Sequence, residues 1–237
     1  NLYKVSSFEI TDLNLINEIA KTKKPIIIST GLSNIKEIKQ SLRVINKYHN
    51  KVIILHCVSE YPTKLEDINL KRISYLKKIF KKYKIGLSDH TDNIYSSIAA
   101  HSYGIAVIEK HFTLSRDMHG PDHMSSLEPD ELKAMVSAIR NIEEALGDGV
   151  KMAKPSEEKN KKVVRKSIVA IQPINKGDLY TKKNLGTKRT FDGLPASMWM
   201  RVLGLQANND YKVCDNHLGF STFKLLPIIT SEQKHEN

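Results

Sequence analysis

Short apolar runs that stop abruptly in polar, chemistry-bearing residues recur through the first 149 positions, and a stretch with helical spacing follows each one. The opening Asn1-Leu2-Tyr3-Lys4-Val5 reads as a strand carried on through Val5 to Ile10, and Thr11-Asp12 caps a short helix over Leu13 to Ala20. Pro25-Ile26-Ile27-Ile28 is a second apolar run, ending in Ser29-Thr30-Gly31. Ser33 then caps a helix whose apolar positions Ile35, Ile38, Leu42 and Ile45 share one face. Val52 to Leu55 is a third run, breaking into His56-Cys57-Val58-Ser59-Glu60-Tyr61-Pro62, and the next helix buries Ile73, Leu76 and Phe80 while its lysines face water. Ile85-Gly86-Leu87 ends in Ser88-Asp89-His90-Thr91. After a helix through Ile94, Ile98 and Ala99, Ala106-Val107-Ile108 ends in Glu109-Lys110-His111-Phe112-Thr113. Leu127-Glu128-Pro129-Asp130-Glu131 opens the clearest helix, with Leu132, Met135, Ile139, Ile142 and Leu146 on one stripe and Gly147 as its stop.

Strand and helix thus alternate about five times. Runs apolar on both faces need cover on both sides, which is the signature of a parallel sheet. The pattern predicts an α/β fold, a partial (β/α)8 TIM barrel of about five C-terminal βα units; a doubly wound sheet is the alternative architecture. Because the chain opens on a strand without an initiator Met, the barrel reading expects roughly three strands before residue 1. Residues 1–149 would form this part of a barrel. Composition then changes: 150–162 is polar, Lys-rich and contains Pro155, which reads as a linker. Residues 163–227, with short strands and tight turns around Ile168-Val169-Ala170 and Lys176-Gly177-Asp178, read as a small β-rich domain, and 228–237 as a tail. A domain of about 60 residues is near the lower size limit for independent stability.

The 237 residues are 40% hydrophobic and 27% charged, which suits a globular chain with a sizeable core. No apolar run approaches the roughly 20 residues of a membrane-spanning helix, so no membrane partner is expected. The net charge of +11 gathers in Lys77 to Lys84 and Lys159 to Lys166. Without interleaved aromatic residues or a finger-like motif these lysines read as a solvated face that favours anionic small substrates, not as a nucleic-acid surface. Two cysteines, Cys57 and Cys214, lack metal-type spacing and are expected as reduced thiols of a cytoplasmic protein.

The chemistry concentrates at the ends of the fourth and fifth runs. An unpaired polar group inside a core costs on the order of 1–3 kcal/mol, whereas the C-terminal edge of a parallel sheet is where α/β enzymes build their sites. His90 and His111, one at each strand end, suggest a metal or an acid–base pair. His56 reads as a packed supporting residue, His119 and His123 as solvent-exposed. Lys110 should point away from His111 on a pleated strand. Lys4 has a second reading, as the Schiff-base lysine of a metal-independent aldolase. Taken alone, Arg189 is an ordinary surface arginine and Asp122 an ordinary turn residue.

The motifs Lys4-Val5-Ser6-Ser7-Phe8-Glu9, Ile28-Ser29-Thr30-Gly31, His56-Cys57 with Tyr61-Pro62-Thr63, Gly86-Leu87-Ser88-Asp89-His90-Thr91, Glu109-Lys110-His111-Phe112-Thr113 and Gly120-Pro121-Asp122-His123 occur in this order, and Ser125-Ser126-Leu127-Glu128-Pro129 follows. In these the chain resembles the sialic acid (nonulosonic acid) synthase family, and its tail resembles the antifreeze-like (SAF) domain of that family. The resemblance implies condensation of phosphoenolpyruvate with a 2-acetamido sugar, N-acetylmannosamine first among them, to a nine-carbon 2-keto acid and phosphate. It implies His90 and His111 as ligands of Mn2+ or Mg2+. Lys4, Ser7, Ser29 and Ser88 would bind phosphate and carboxylate, Ser59 would also bind substrate, and Glu9, Tyr61 and Asp122 would be catalytic residues in contact with the sugar. Arg189 would reach the N-acetyl group in the other subunit of a domain-swapped homodimer. Ser59, where neuraminate synthases often have Asn, leaves legionaminate- and pseudaminate-type acceptors open, and a non-catalytic fragment remains the contrasting reading.

Overall fold

Five short strands, rich in Ile and Val, pair side by side in sequence order: β1 Tyr3–Val5, β2 Ile26–Ser29, β3 Val52–Cys57, β4 Lys84–Asp89 and β5 Ile108–Lys110. Every pairing is parallel. Parallel neighbours need crossover connections, and these are α1 Leu13–Lys21, α2 Ile35–Ile45, the pair α3 Leu65–Ile68 and α4 Lys71–Ile79, and α5 Tyr95–His101, with α6 Pro129–Leu146 following β5. The structure, a computed structural model, describes residues 1–190, 193–216 and 218, and separates into two compact units, 1–149 and 150–237.

Local chemistry sets the element ends. The Asp12 carboxylate accepts the Leu15 N–H at 3.0 Å and starts α1. At α2 the cap is Asn34, not Ser33: its side-chain oxygen accepts from the N–H groups of Lys36 and Glu37 at 2.9 and 3.1 Å, and Glu37 reaches back to the Asn34 N–H. Pro129 takes the first position of α6, where its missing N–H is no loss. Leu146, expected on the buried stripe of that helix, is exposed in its last turn.

The first strand is shorter than its apolar run. It stops at Val5, and Ser7–Glu9 form a 3-10 turn closed by Glu9 on Ser6. The fifth strand lies further along than its apolar residues suggest: Ile108, Glu109 and Lys110 form it, although ladder hydrogen bonds from Ala106 N to Ile85 O and Leu87 N to Val107 O already tie the run before it. Pairing with β4 therefore draws two charged residues into the sheet.

Register shows which side chains share a face. Val5, Ile28, Ile54 and Ile85 are partners in turn, and with Leu87 they form the core beneath α1, α2, α4 and α5 together with Ile16, Ala20, Ile38, Leu42, Ile45, Ile73, Leu76 and Ala100. The other face carries Lys4 and Ser29 and, across the ladder, Leu55, Cys57, Ser88 and Glu109. On a flat sheet β1 and β5 would lie about 19 Å apart, four times the spacing of neighbouring strands. Yet Lys4 Nζ on β1 is 3.4 Å from Glu109 Oε1 on β5. The sheet is curled, and Lys4, Ser88 and Glu109 line its concave side. This is the curvature of a partial barrel.

The second unit begins with α7 Pro155–Val164, so the segment expected as a linker is helical from Pro155 onward. β6 Lys166–Ala170 and β7 Leu185–Arg189 pair antiparallel, and isolated bridges tie Ile174 to Tyr211 and Leu179 to Gln206. Ile168, Ala170, Ile174, Tyr180, Leu185, Ala207 and Tyr211 pack with Val202 of α8 Trp199–Val202 into its own core. The expected tail, 228–237, and the end of the expected small domain, 219–227, lie outside the described residues.

Candidate active site

His90 follows the last residue of β4 and His111 the last residue of β5. Their ring centroids are 5.2 Å apart at 79° to one another. Tyr61, from the loop after β3, lies against both, 4.1 Å from the His90 ring and 5.5 Å from the His111 ring. Asp122 Oδ2 is 4.0 Å from His111 Nδ1. Burial first, then the charges of Cys57, Asp122 and Glu109, raise the Tyr61 phenol above its usual value, so Tyr61 keeps its proton and can donate it in a hydrogen bond.

Around these rings the concave face supplies hydroxyls and one ammonium group. Ser88 Oγ donates to Glu109 Oε1 at 2.8 Å and lies 3.4 Å from His90 Nε2. Ser7 Oγ accepts the Gly31 N–H at 2.9 Å and donates to Cys57 Sγ at 3.3 Å. Ser59 Oγ is 4.0 Å from the same sulfur. A Cβ on Gly31 would come within 2.1 Å of Ser59 Oγ and 2.8 Å of Ser7 Oγ, so only glycine lets these two hydroxyls approach. Ser29 Oγ is buried and has no hydrogen-bond partner among the described residues, which makes it a donor awaiting an acceptor.

Two imidazoles are a fit for a divalent ion of the Mn2+ type, and their protonation pattern suits ligation. A carbonyl only accepts, so His90 Nδ1, 2.8 Å from Val58 O, carries the hydrogen and leaves the Nε2 lone pair free to bind. Burial, then the neighbouring His90, holds His111 below the usual imidazole range, so its ring is neutral. Burial also opposes a charge on His90, but hydrogen bonds to Cys57 and Val58 O outweigh it and raise its pKa; an ion would compete with that proton. Among the described residues no group of three or more His, Cys, Asp or Glu side chains is arranged to hold a metal. An ion held here by the two histidines alone would keep its remaining positions open to water and substrate.

Glu9 is exposed and its carboxylate is engaged by the Ser6 N–H and hydroxyl at 3.1 and 2.5 Å. Arg189 is exposed at the end of β7 in the second unit. His119 is exposed, but His123, expected in solvent, is half-buried with Nδ1 2.7 Å from Thr113 Oγ1, because the loop folds back on the strand end. Cys57 and Glu109 take part in the site without a role having been read for either. The signal was register, since each is the direct partner of Ser88 in a neighbouring strand.

His56 faces the helices, as alternation from Cys57 requires, and its Nε2 donates to Ile68 O of α3 at 2.6 Å. Burial holds its pKa below the imidazole value of about 6.5, against the opposing effect of that hydrogen bond. The unfolded chain then binds a proton that the folded chain refuses, so stability is full above about pH 6.5 and falls as pH drops below it. Replacing His56 with Gln should flatten this part of the unfolding free energy measured between about pH 7 and pH 5. An unchanged slope would remove His56 as its source.

A curled parallel sheet with its polar groups on the concave side and at the strand ends is the framework of a barrel enzyme. The model of the NeuB family matches residues 1–151, and the chain belongs to that family. The N,N'-diacetyllegionaminic acid synthase of Campylobacter jejuni subsp. jejuni serotype O:2 is 46% identical over 214 residues, 89% of this chain and 64% of that protein. The pseudaminic acid synthase of the same strain is 38% identical over 90% of this chain and 62% of its own length. Among solved structures, the N-acetylneuraminic acid (sialic acid) synthetase of Leptospira borgpetersenii serovar Hardjo-bovis, in complex with citrate, superposes with a TM-score of 0.63 at 33% identity, over 67% of this chain and 55% of that one. The chain spans less than two thirds of the length of these relatives. No helix among its described residues is long and apolar enough to cross a membrane.

Proposed function

We propose that this chain is the histidine-bearing part of a metal-dependent synthase that condenses phosphoenolpyruvate with a 2-acetamido sugar to a nine-carbon 2-keto sugar acid, releasing phosphate. The observation that carries the reading is the convergence of His90, His111 and Tyr61 beside the Lys4–Glu109 contact in a chain of the NeuB family. Lys4 pairs with the phosphate and carboxylate charge, and Ser7, Ser29 and Ser88 donate hydrogen bonds to the same groups. The unpartnered Ser29 hydroxyl supports this role most directly. His90 and His111 would hold Mn2+ or Mg2+, which when bound would polarise the sugar aldehyde and lower the pKa of a water. C3 of phosphoenolpyruvate bonds to the aldehyde carbon, water adds at C2, and phosphate leaves. Tyr61, Asp122, Ser59 and Glu9 orient the sugar. Arg189, on a small domain of the SAF type, serves the site of a second copy in a homodimer. The reaction takes place in the cytoplasm.

N-acetylmannosamine is the simplest acceptor. The 46% identity to a diacetyllegionaminic acid synthase favours a second reading, an acceptor with two acetamido groups. Phosphate release from phosphoenolpyruvate with each sugar, with Mn2+ and with EDTA, tests both. Release that EDTA abolishes is expected. Release indifferent to EDTA would overturn the metal mechanism in favour of Lys4 as a covalent catalyst, and no release with any acetamido sugar, from this chain or from one extended to the length of its relatives, would overturn the synthase.

A further inference from the structure

We propose that the buried Asp89–Lys110 ion pair is a positioning device that sets the separation of His90 and His111. The inference rests on reading those two histidines as the metal's donors, and it adds a part that the reaction itself does not use. Asp89 and Lys110 are the last residues of β4 and β5 and are register partners. Each immediately precedes one of the histidines. Their side chains lie 3.2 Å apart, 0% and 4% exposed.

The bonding around the pair grips His90 from both sides. Asp89 Oδ1 accepts the Thr91 N–H at 2.9 Å and the Thr91 hydroxyl at 2.7 Å, and Oδ2 accepts the Ser97 hydroxyl of α5 at 2.6 Å as well as Lys110. Lys110 Nζ also donates to the Thr91 carbonyl and lies 3.3 Å from the Thr91 hydroxyl. The residues before and after His90 are thus held by one network, and that network is anchored on the residue before His111.

Stability alone does not account for such a pair. Two buried charges gain little over an apolar pair of the same volume, because desolvation offsets their attraction. Two residues earlier the sheet uses the apolar solution at the same kind of position, Leu87 opposite Ile108. What the ion pair adds is a fixed geometry: one ammonium position and one carboxylate orientation, both defined by several hydrogen bonds. By alternation the pair faces the helices while Ser88, Glu109 and the histidines face the site, so it acts on the donors only through the backbone.

The test compares the parent chain with the double variant Asp89→Asn/Lys110→Met, which removes both charges so that neither is left unpaired. Circular dichroism reports the fold, Mn2+ electron paramagnetic resonance the affinity, and 15N spectra the ring signals of His90 and His111. A folded variant with Mn2+ affinity weakened about 10–100-fold, the range for groups that orient a metal's ligands, and with displaced ring signals is the expected result. A folded variant with unchanged affinity and ring signals would overturn the proposal and leave the pair a structural element. If the double variant does not fold, Lys110→Arg keeps the charge and changes the reach; weakened Mn2+ binding supports the proposal and unchanged binding overturns it. Should the parent show no Mn2+ binding that His90→Ala removes, the metal reading fails on its own, and the ring signals decide the positioning role: displaced in the variant they support it, unmoved they overturn it.

Discussion

Gly86→Ala should destabilise the first unit by about 3 kcal/mol, the upper end of the usual range for one methyl group forced into a packed interior. A Cβ at this position would sit 2.6 Å from Leu55 Cδ2, 2.6 Å from the Val107 carbonyl oxygen and 2.7 Å from Val107 Cγ1. The leucine can rotate away. The carbonyl cannot, because it accepts the Leu87 N–H at 3.0 Å in the ladder that joins β4 to the fifth strand. Relief therefore means moving the two strands apart, and these strands end in His90 and His111. The expected signature is a fall of about 10 °C in the thermal midpoint, together with weakened Mn2+ binding by the protein that remains folded. A midpoint within about 2 °C of the parent would show that β5 gives way easily at Val107.

His90→Ala should lower the rate of phosphate release about 1,000-fold while leaving most of the fold's stability intact. A bound divalent ion supplies several kcal/mol of charge stabilisation in reactions of this type, and about 4 kcal/mol corresponds to that factor. The structural loss is smaller. The Val58 carbonyl loses its partner at 2.8 Å but keeps the Thr63 hydroxyl at 3.3 Å, so the change is about 1 kcal/mol. Mn2+ affinity and turnover should fall together, and His56→Gln, which removes a buried imidazole on the opposite face, should leave both unchanged. Turnover that survives His90→Ala would remove His90 from the donor set.

Much of this was legible in the order of residues, and the exceptions have physical causes. The five strand–helix repeats follow from apolar runs of β-forming residues separated by stripes such as Ile35, Ile38, Leu42 and Ile45, where local pattern and burial agree. Boundaries were less legible. Glu109 and Lys110 lie inside β5 because pairing with Ser88 and Asp89 satisfies their side chains, and nothing local to Ile108-Glu109-Lys110 encodes that. His90, His111 and Tyr61 could be named from motifs and follow three neighbouring strands, yet the approach of Lys4 to Glu109 depends on the curl, which brings β1 to β5 and is a property of the whole sheet. The Ser7–Cys57–Ser59 cluster required Gly31, whose role appears only when three strands are side by side. Helix α7 was hidden by a polar, lysine-rich composition that propensity alone reads as either helix or linker.

The pairing of Asp89 with Lys110 also bears on how the chain avoids a wrong fold. Parallel strands rich in Ile and Val could slide past one another by a residue, since their apolar faces are alike and each slip exchanges the two faces. Sliding β5 by one position would set Lys110 opposite His90 or Ser88 and leave Asp89 without its cation. An uncompensated buried charge costs about 3–5 kcal/mol, comparable with much of the stability of a small unit. Misaligned sheets are thereby disfavoured before they can be locked in, and the one correctly aligned sheet is the one in which the two charges meet.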